Sequence, residues 1–227
     1  GSIAGVCSGN IVNVYSNAEI QSSGGVIGGL IGEMHGSGTM NLSQCWFAGS
    51  IVNTKHTTGG IIGMVSQGNV NMINCLNTGT LTGAINSVGG MCARTFRSTG
   101  KFAMNEQTGS ALGLQITNCL SIGNILSSVG WSGSVIGRIQ HIQAGMTMTN
   151  VYATEESYKV SGTATTIGNG SVSSGSQIPI LVKLSKITVE GDVTVDNVKS
   201  ELNKLDFNLT WGVGSQKTPE LAWVNNL

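Results

Sequence analysis

The sequence predicts an all-β chain: a right-handed parallel β-helix of about four to five rungs, closed at its C-terminal end by a small α/β cap. Three observations carry that prediction. Two short signatures recur in phase, with a period near 30 residues. The apolar runs between them are short and alternate with polar residues, which is the period of a strand. The composition suits tight stacking: 34 Gly, only 2 Pro, 10% charged and 40% hydrophobic residues in 227, against about 25% charge and about 7% Gly in ordinary domains.

The first signature is a Gly pair followed by apolar residues and Gly. It reads GGLIG from Gly28, GGIIG from Gly59, GGMCA from Gly89 and, with Ser in second place, GSVIG from Gly133. The second follows each copy: QCWFAG from Gln44, NCLNTG from Asn74, NCLSIG from Asn118 and NVYATE from Asn150. A partial copy opens the chain and ends near Ile20. Val14, Cys45, Cys75, Cys119 and Val151 stand 31, 30, 44 and 32 residues apart. A fixed period of this size means stacked units, none able to bury its apolar face alone. Within a unit, GNVNMIN (Gly68–Asn74) alternates like a strand. The Gly pairs and Asn-Thr-Gly steps mark corners needing positive φ or close packing. Helical repeats would need 10 to 12 residues of 3.6-residue periodicity without Gly, and propeller blades about 40 residues and more aromatics.

Stacking then assigns columns. Asn13, Asn74, Asn118 and Asn150, with Gln44, fill one, where amides are expected to form a ladder. Cys45, Cys75 and Cys119 share a column with Val14 and Val151, Cys7 aligns near Val65, and Cys92 near Ile62. The five cysteines are therefore expected to be unpaired thiols filling apolar positions. No C-x-x-C spacing suggests zinc.

The stretch GGIIGMVSQGNVNMINCLNTGTLTG (Gly59–Gly83) resembles the GLUG repeat of bacterial surface proteins, and the resemblance extends over roughly residues 2–154. WGVGSQKTPELAW (Trp211–Trp223) is similar to the segment that often ends such arrays. The resemblance implies an extracellular or cell-surface location and an adhesin-like role. The repeat also occurs in some proteases, outside their catalytic part.

Chemistry has few candidates in the repeats. Only Glu19, Glu33 and Glu106 are acidic before residue 154, with Glu19 in a column beside Ser50 and Thr80 and Glu33 at a corner near Met64. A glycosidase needs a flanking pair of carboxylates, and none is evident. His35, His56 and His141 fall at different phases, each without a nearby acid, so neither a Ser/His/Asp arrangement nor a metal site is expected. The expectation is a chain without catalytic residues, metal or cofactor. Net charge is zero and no basic face indicates nucleic acid. No apolar run reaches the ~18 residues of a membrane span.

The long repeat concentrates what charge and aromaticity there is, in RTFRSTGKFAMNEQTGS from Arg94. Arg94, Phe96, Arg97, Lys101 and Phe102 there, with Trp131 before the fourth Gly pair, are the candidate ligand-binding residues. They read either as a recognition loop for a glycan or host surface protein, or as a decorated corner whose Phe and Trp side chains fold onto the solenoid. Two further readings remain: a β-helix carbohydrate-active enzyme of lyase or glycoside hydrolase type, or a carbohydrate-binding module of a larger enzyme.

The repeats are placed at 1–160 and a capping segment at 161–227. Ile178–Leu184 is expected as a strand or cap edge, and Thr194–Asp206 as the one helix, with Val195, Val198, Leu202 and Leu205 on a face. That helix and two Trp residues are expected to plug an open solenoid end. The chain enters a repeat part-way, so it reads as a piece of a longer protein whose preceding part covers the first rung.

Overall fold

The computed structural model describes residues 1–83, 86–95, 113–127, 131–139, 145–153, 158–160, 180–184, 202, 204–207, 209–215 and 218–226; for 145–146, 158–160, 180–184 and 226 it describes the backbone only. The chain forms a parallel β-solenoid. Ala4–Cys7, Ile31–Met34, Ile62–Val65, Cys92–Thr95 and Ile136–Ile139 stack in order as a five-stranded sheet. Ile27–Gly28, Thr58–Gly59, Ser87–Gly89 and Trp131–Gly133 make a four-stranded one. The third and widest sheet stacks Gly9–Val12, Thr39–Ser43, Asn69–Ile73, Gly113–Ser121 and Gly145–Ala153, with short continuations at Tyr15–Ser16, Trp46–Phe47 and Leu76–Asn77. The fourth runs from Glu19–Ser22 through Ser50–Asn53, Thr80–Gly83 and Ile125–Ser127 to Tyr158–Val160. All pairings in these sheets are parallel, and the registers follow the repeat spacing: Ile62 faces Ile31 and Cys92, and Met72 faces Leu42 and Ile116.

The two sequence signatures are corners, and each has its own physical reason. The Gly pairs have no positive φ; what they lack is room. A Cβ on Gly28 or Gly59 would lie 1.9 Å from the carbonyl oxygen three residues on, that of Ile31 or Ile62. A Cβ on the second Gly would meet the next coil: Gly29 lies 2.1 Å from Gly60 O, and Gly60 2.1 Å from Gly90 O. Of the two signatures, the Asn column is the one with positive φ: Asn13, Gln44, Asn74, Asn118 and Asn150 have φ of 56, 54, 54, 52 and 51°. This left-handed turn bends the third sheet, and Asn tolerates it better than most residues. An amide link in this column joins Asn150 Nδ2 to Asn118 Oδ1 at 2.9 Å. A longer amide ladder stands on an exposed column nearby, Asn71 to Asn41 to Asn10, each step 2.8 Å.

Inside, columns of Ile, Leu, Met and Val from all four sheets form one core, each fully buried side chain contributing about 1.5–3 kcal/mol. The five thiols are unpaired, and Cys45, Cys75, Cys92 and Cys119 are buried. Three of them do more than fill space. Cys45, Cys75 and Cys119 follow the left-handed corner, and each thiol donates to the carbonyl two residues back, at 3.4, 3.5 and 3.2 Å.

A second apolar cluster lies on the outer flank. Tyr15, Trp46, Leu76, Leu120 and Tyr152 form a column one position past the thiols. The C-terminal segment covers it: Leu202, Leu205, Trp211 and Leu221 are buried against Leu76, Leu120 and Tyr152, with Trp223 beside them. Trp223 Nε1 donates to Gln44 O at 3.1 Å. Here the segment forms an antiparallel pair, Trp211–Val213 with Pro219–Leu221, and a short 3-10 helix, Ala222–Asn226. The sequence expectation placed its Trp residues over an open end; these described elements lie along the side instead, because the outward Leu and Tyr column would otherwise face water. The strand Ile180–Leu184 does extend the stack, pairing in parallel with Gly145–Ala153. Of the helix expected over 194–206, only Leu202 and residues 204–206 are described.

Candidate functional site

The first sheet carries one outward column, Val6, Glu33, Met64, Arg94 and Arg138, in register from coil to coil. The two arginines therefore stand on adjacent strands, about 4.8 Å apart at the backbone. Arg138 lies over Trp131, its guanidinium carbon 3.9 Å from the ring centroid. Trp131 opens its strand opposite Ser87 and remains 38% exposed. Burial, and then the charge of Arg138, lower the Arg94 pKa. On the neighbouring turn, burial and then the Arg94 charge lower the pKa of His56. The buried Nδ1 of His56 has no hydrogen-bond partner. The result is a basic and aromatic corner on a scaffold that otherwise carries little charge.

Of the predicted ligand-binding residues, Arg94 and Trp131 fall in this corner. Phe96, Arg97, Lys101 and Phe102 lie outside the described residues, as does His141. Sequence reasoning missed Arg138 and His56. Arg138 had a readable signal, since it follows Arg94 by the same 44 residues that separate Gly89 from Gly133. His56 had none, because its approach to Arg94 depends on how a turn folds.

A second polar group corrects two expectations. Glu33 lies within the strand Ile31–Met34, not at a corner, and His35 does have an acid nearby: its Nδ1 is 3.5 Å from Glu33 Oε1. Ser66, from the next coil, joins them. Its hydroxyl lies 2.5 Å from Glu33 Oε1 and 3.0 Å from His35 Nδ1. Serine, histidine and glutamate are the residue types of a nucleophilic triad, but the arrangement is different. A triad places the imidazole between the other two, with one ring nitrogen on each. Here the same nitrogen faces both oxygens, and the serine bonds the carboxylate directly. Ser66 is also 2% exposed, with no room for a substrate carbonyl. The group acts as a polar clasp between two coils. Glu33 and His35 are two residues apart, the spacing that turns side chains of extended backbone to one side, with His35 just past the end of the strand.

The thiols offer no nucleophile in the core. Hydrogen bonding to Cys75, then burial, push the Cys45 thiol far up, and burial raises Cys75 strongly and Cys92 to about 12. Among the described residues, no three His, Cys, Asp or Glu side chains converge to hold a metal ion. None of the described helices is long and apolar enough to cross a membrane.

No protein-family model matches the chain. No curated protein matches it. Its fold is similar to that of a solved structure from Bacteroides ovatus named as a candidate immunoglobulin A1 protease, with a TM-score of 0.54 and 19% sequence identity. The superposition covers 95% of this chain and 58% of the other. At this identity the likeness concerns the solenoid fold alone, and the chain spans little more than half the length of its neighbour.

Proposed function

We propose that this chain is a non-enzymatic structural and adhesive repeat module of a bacterial surface or secreted protein, built from GLUG-type repeats and contacting glycans through the corner at Arg94 and Trp131. The observation that carries the reading is the half-exposed indole with a guanidinium stacked on it, in a chain with 10% charged residues. An indole with one polar, wet edge presents a flat apolar face to a sugar ring. Loops and corners on a rigid scaffold are where binding groups gather. The parallel solenoid supplies such a scaffold. A neighbour of similar fold and greater length fits a module that works as part of a larger chain.

The test is a glycan array probed with the labelled chain and with Trp131→Ala. Binding to a defined glycan set, weakened at least tenfold by the substitution with an unchanged circular dichroism spectrum, is expected. A blank array, or binding indifferent to Trp131, overturns the reading.

A further inference from the structure

The outer face of the third sheet carries two columns without charge, in register over five coils. One holds Asn10, Asn41, Asn71, Gln115 and Thr147. The other, two residues further along each strand, holds Val12, Ser43, Ile73, Thr117 and Thr149. All of them are exposed or half-exposed, Val12 and Ile73 at 54% and 44%. The first charge in register is Lys183, one strand beyond Thr149. Outward positions elsewhere do take charge: Glu33, Arg94 and Arg138 on the first sheet, Glu19 on the fourth. Stacking alone accounts for an Asn ladder. It does not account for the second column, where Lys or Glu would suit a strand facing water and every residue but Ser43 carries a methyl group instead.

The ladder fixes what the first column offers. Asn71 Nδ2 donates to Asn41 Oδ1, and Asn41 Nδ2 to Asn10 Oδ1, each at 2.8 Å. The middle amide keeps one N–H and one acceptor position on its oxygen for an outside partner. A donor beside an acceptor matches a hydroxyl group, which also gives one bond and takes another. Both are ordered before any ligand arrives, which lowers the cost of binding. A charged partner would lose hydration here and find no counter-charge. The methyl column suits the C–H edge of a sugar ring. Coils repeat about every 4.8 Å, so the face runs for about 19 Å along the solenoid axis, the length of several sugar units in an extended chain.

We propose that this face binds a neutral polysaccharide chain lying along the solenoid axis, with hydroxyl groups on the Asn column and C–H edges on the column from Val12 to Thr149. The face belongs to a different sheet from Trp131 and does not depend on that corner. Each coil adds a weak contact, and linked contacts reinforce one another, so affinity grows with the length of the sugar chain.

The experiment measures retention of the chain on insoluble mannan, cellulose and chitin, then titrates it with the disaccharide and hexasaccharide of each polymer that retains it. At least one polymer is expected to hold the chain, its hexasaccharide to bind tenfold or more tightly than its disaccharide, and added salt to change neither. Ile73→Lys and Gln115→Lys, which place a charge at exposed positions, are expected to weaken the hexasaccharide tenfold or more with an unchanged circular dichroism spectrum. Trp131→Ala is expected to leave it unchanged. No retention on any polymer, equal affinity for both lengths, or binding untouched by either Lys substitution overturns the proposal and leaves the corner at Trp131 to be judged by its own array. Loss of binding in Trp131→Ala overturns it by moving the sugar to that corner. A native chain that sediments as a dimer, and as a monomer in Ile73→Lys, gives the face to a second copy and overturns it too. Should a Lys variant misfold, the comparison of hexasaccharide with disaccharide on the native chain and on Trp131→Ala still decides.

Discussion

Replacing Gly60 by Ala tests the idea that the Gly pairs exist for want of space. The new Cβ would stand 2.1 Å from Gly90 O and 2.6 Å from Asn77 Cγ, where ordinary contact begins at 3.4 Å. The carbonyl belongs to the next coil and cannot rotate away, because Gly60 N donates to Gly89 O at 3.0 Å and Ile61 N to Met91 O at 3.2 Å. Relief demands that the coils part by about an ångström at this corner. Stretching these two bonds costs about 1 kcal/mol each, and overpacking a tight site adds about 1–3 kcal/mol. A loss of about 3–5 kcal/mol follows, which for a chain of this size lowers Tm by roughly 6–20 °C. Gly24→Ala is the control, since nothing lies within 4 Å of its Cβ position and its φ is not in the left-handed region. Differential scanning fluorimetry of both variants decides the matter. Equal melting points would show that the corner yields freely, and the explanation of the repeat signature would fail.

Other consequences follow from the corners and the buried groups. At Asn74, φ is 54°, so Asn74→Val is expected to lower stability by about 1–2 kcal/mol in urea unfolding while Asn74→Gly stays near native; equal losses would mean that the amide, not the backbone, matters. A thiol reagent at pH 8 is expected to modify only Cys7 in the native chain and all five cysteines in denaturant, because the other four are buried and burial or hydrogen bonding raises three of them. Rapid native labelling of Cys75 would contradict the packing of the core. The pKa of His56 is lowered from 6.5 by burial and by Arg94, so between its native pKa and about 6.5 the unfolded state binds more protons and stability rises with pH. His56→Asn should lose less stability than the native chain when urea midpoints at pH 8 and pH 5 are compared; identical pH dependence would remove His56 from this role.

The period of the repeat was enough to place most of the solenoid. In a parallel stack, residues one period apart become neighbours, so sequence spacing translates directly into register. That is why Cys92 could be set against Ile62, Glu33 against Met64 and Ser50 against Glu19 before any coordinates. The same logic reached the interior thiol column, and it would have reached Arg138 had the basic column been followed one period further. It could not tell which glycines are needed for closeness and which residues for positive φ, since both appear in sequence as corners. Only the stacked backbone separates Gly60, under the carbonyl of Gly90, from Asn74, in a left-handed turn. Contacts outside the repeat were beyond its reach. The tail has no period to give it a register, and its place on the flank depends on how the outward Leu76, Leu120 and Tyr152 column matches Trp211 and Leu221 in shape. The clasp of Ser66 with Glu33 and His35, and the stacking of Arg138 on Trp131, depend likewise on side-chain rotamers chosen in three dimensions. Spacing determines which residues are neighbours; packing decides what those neighbours do.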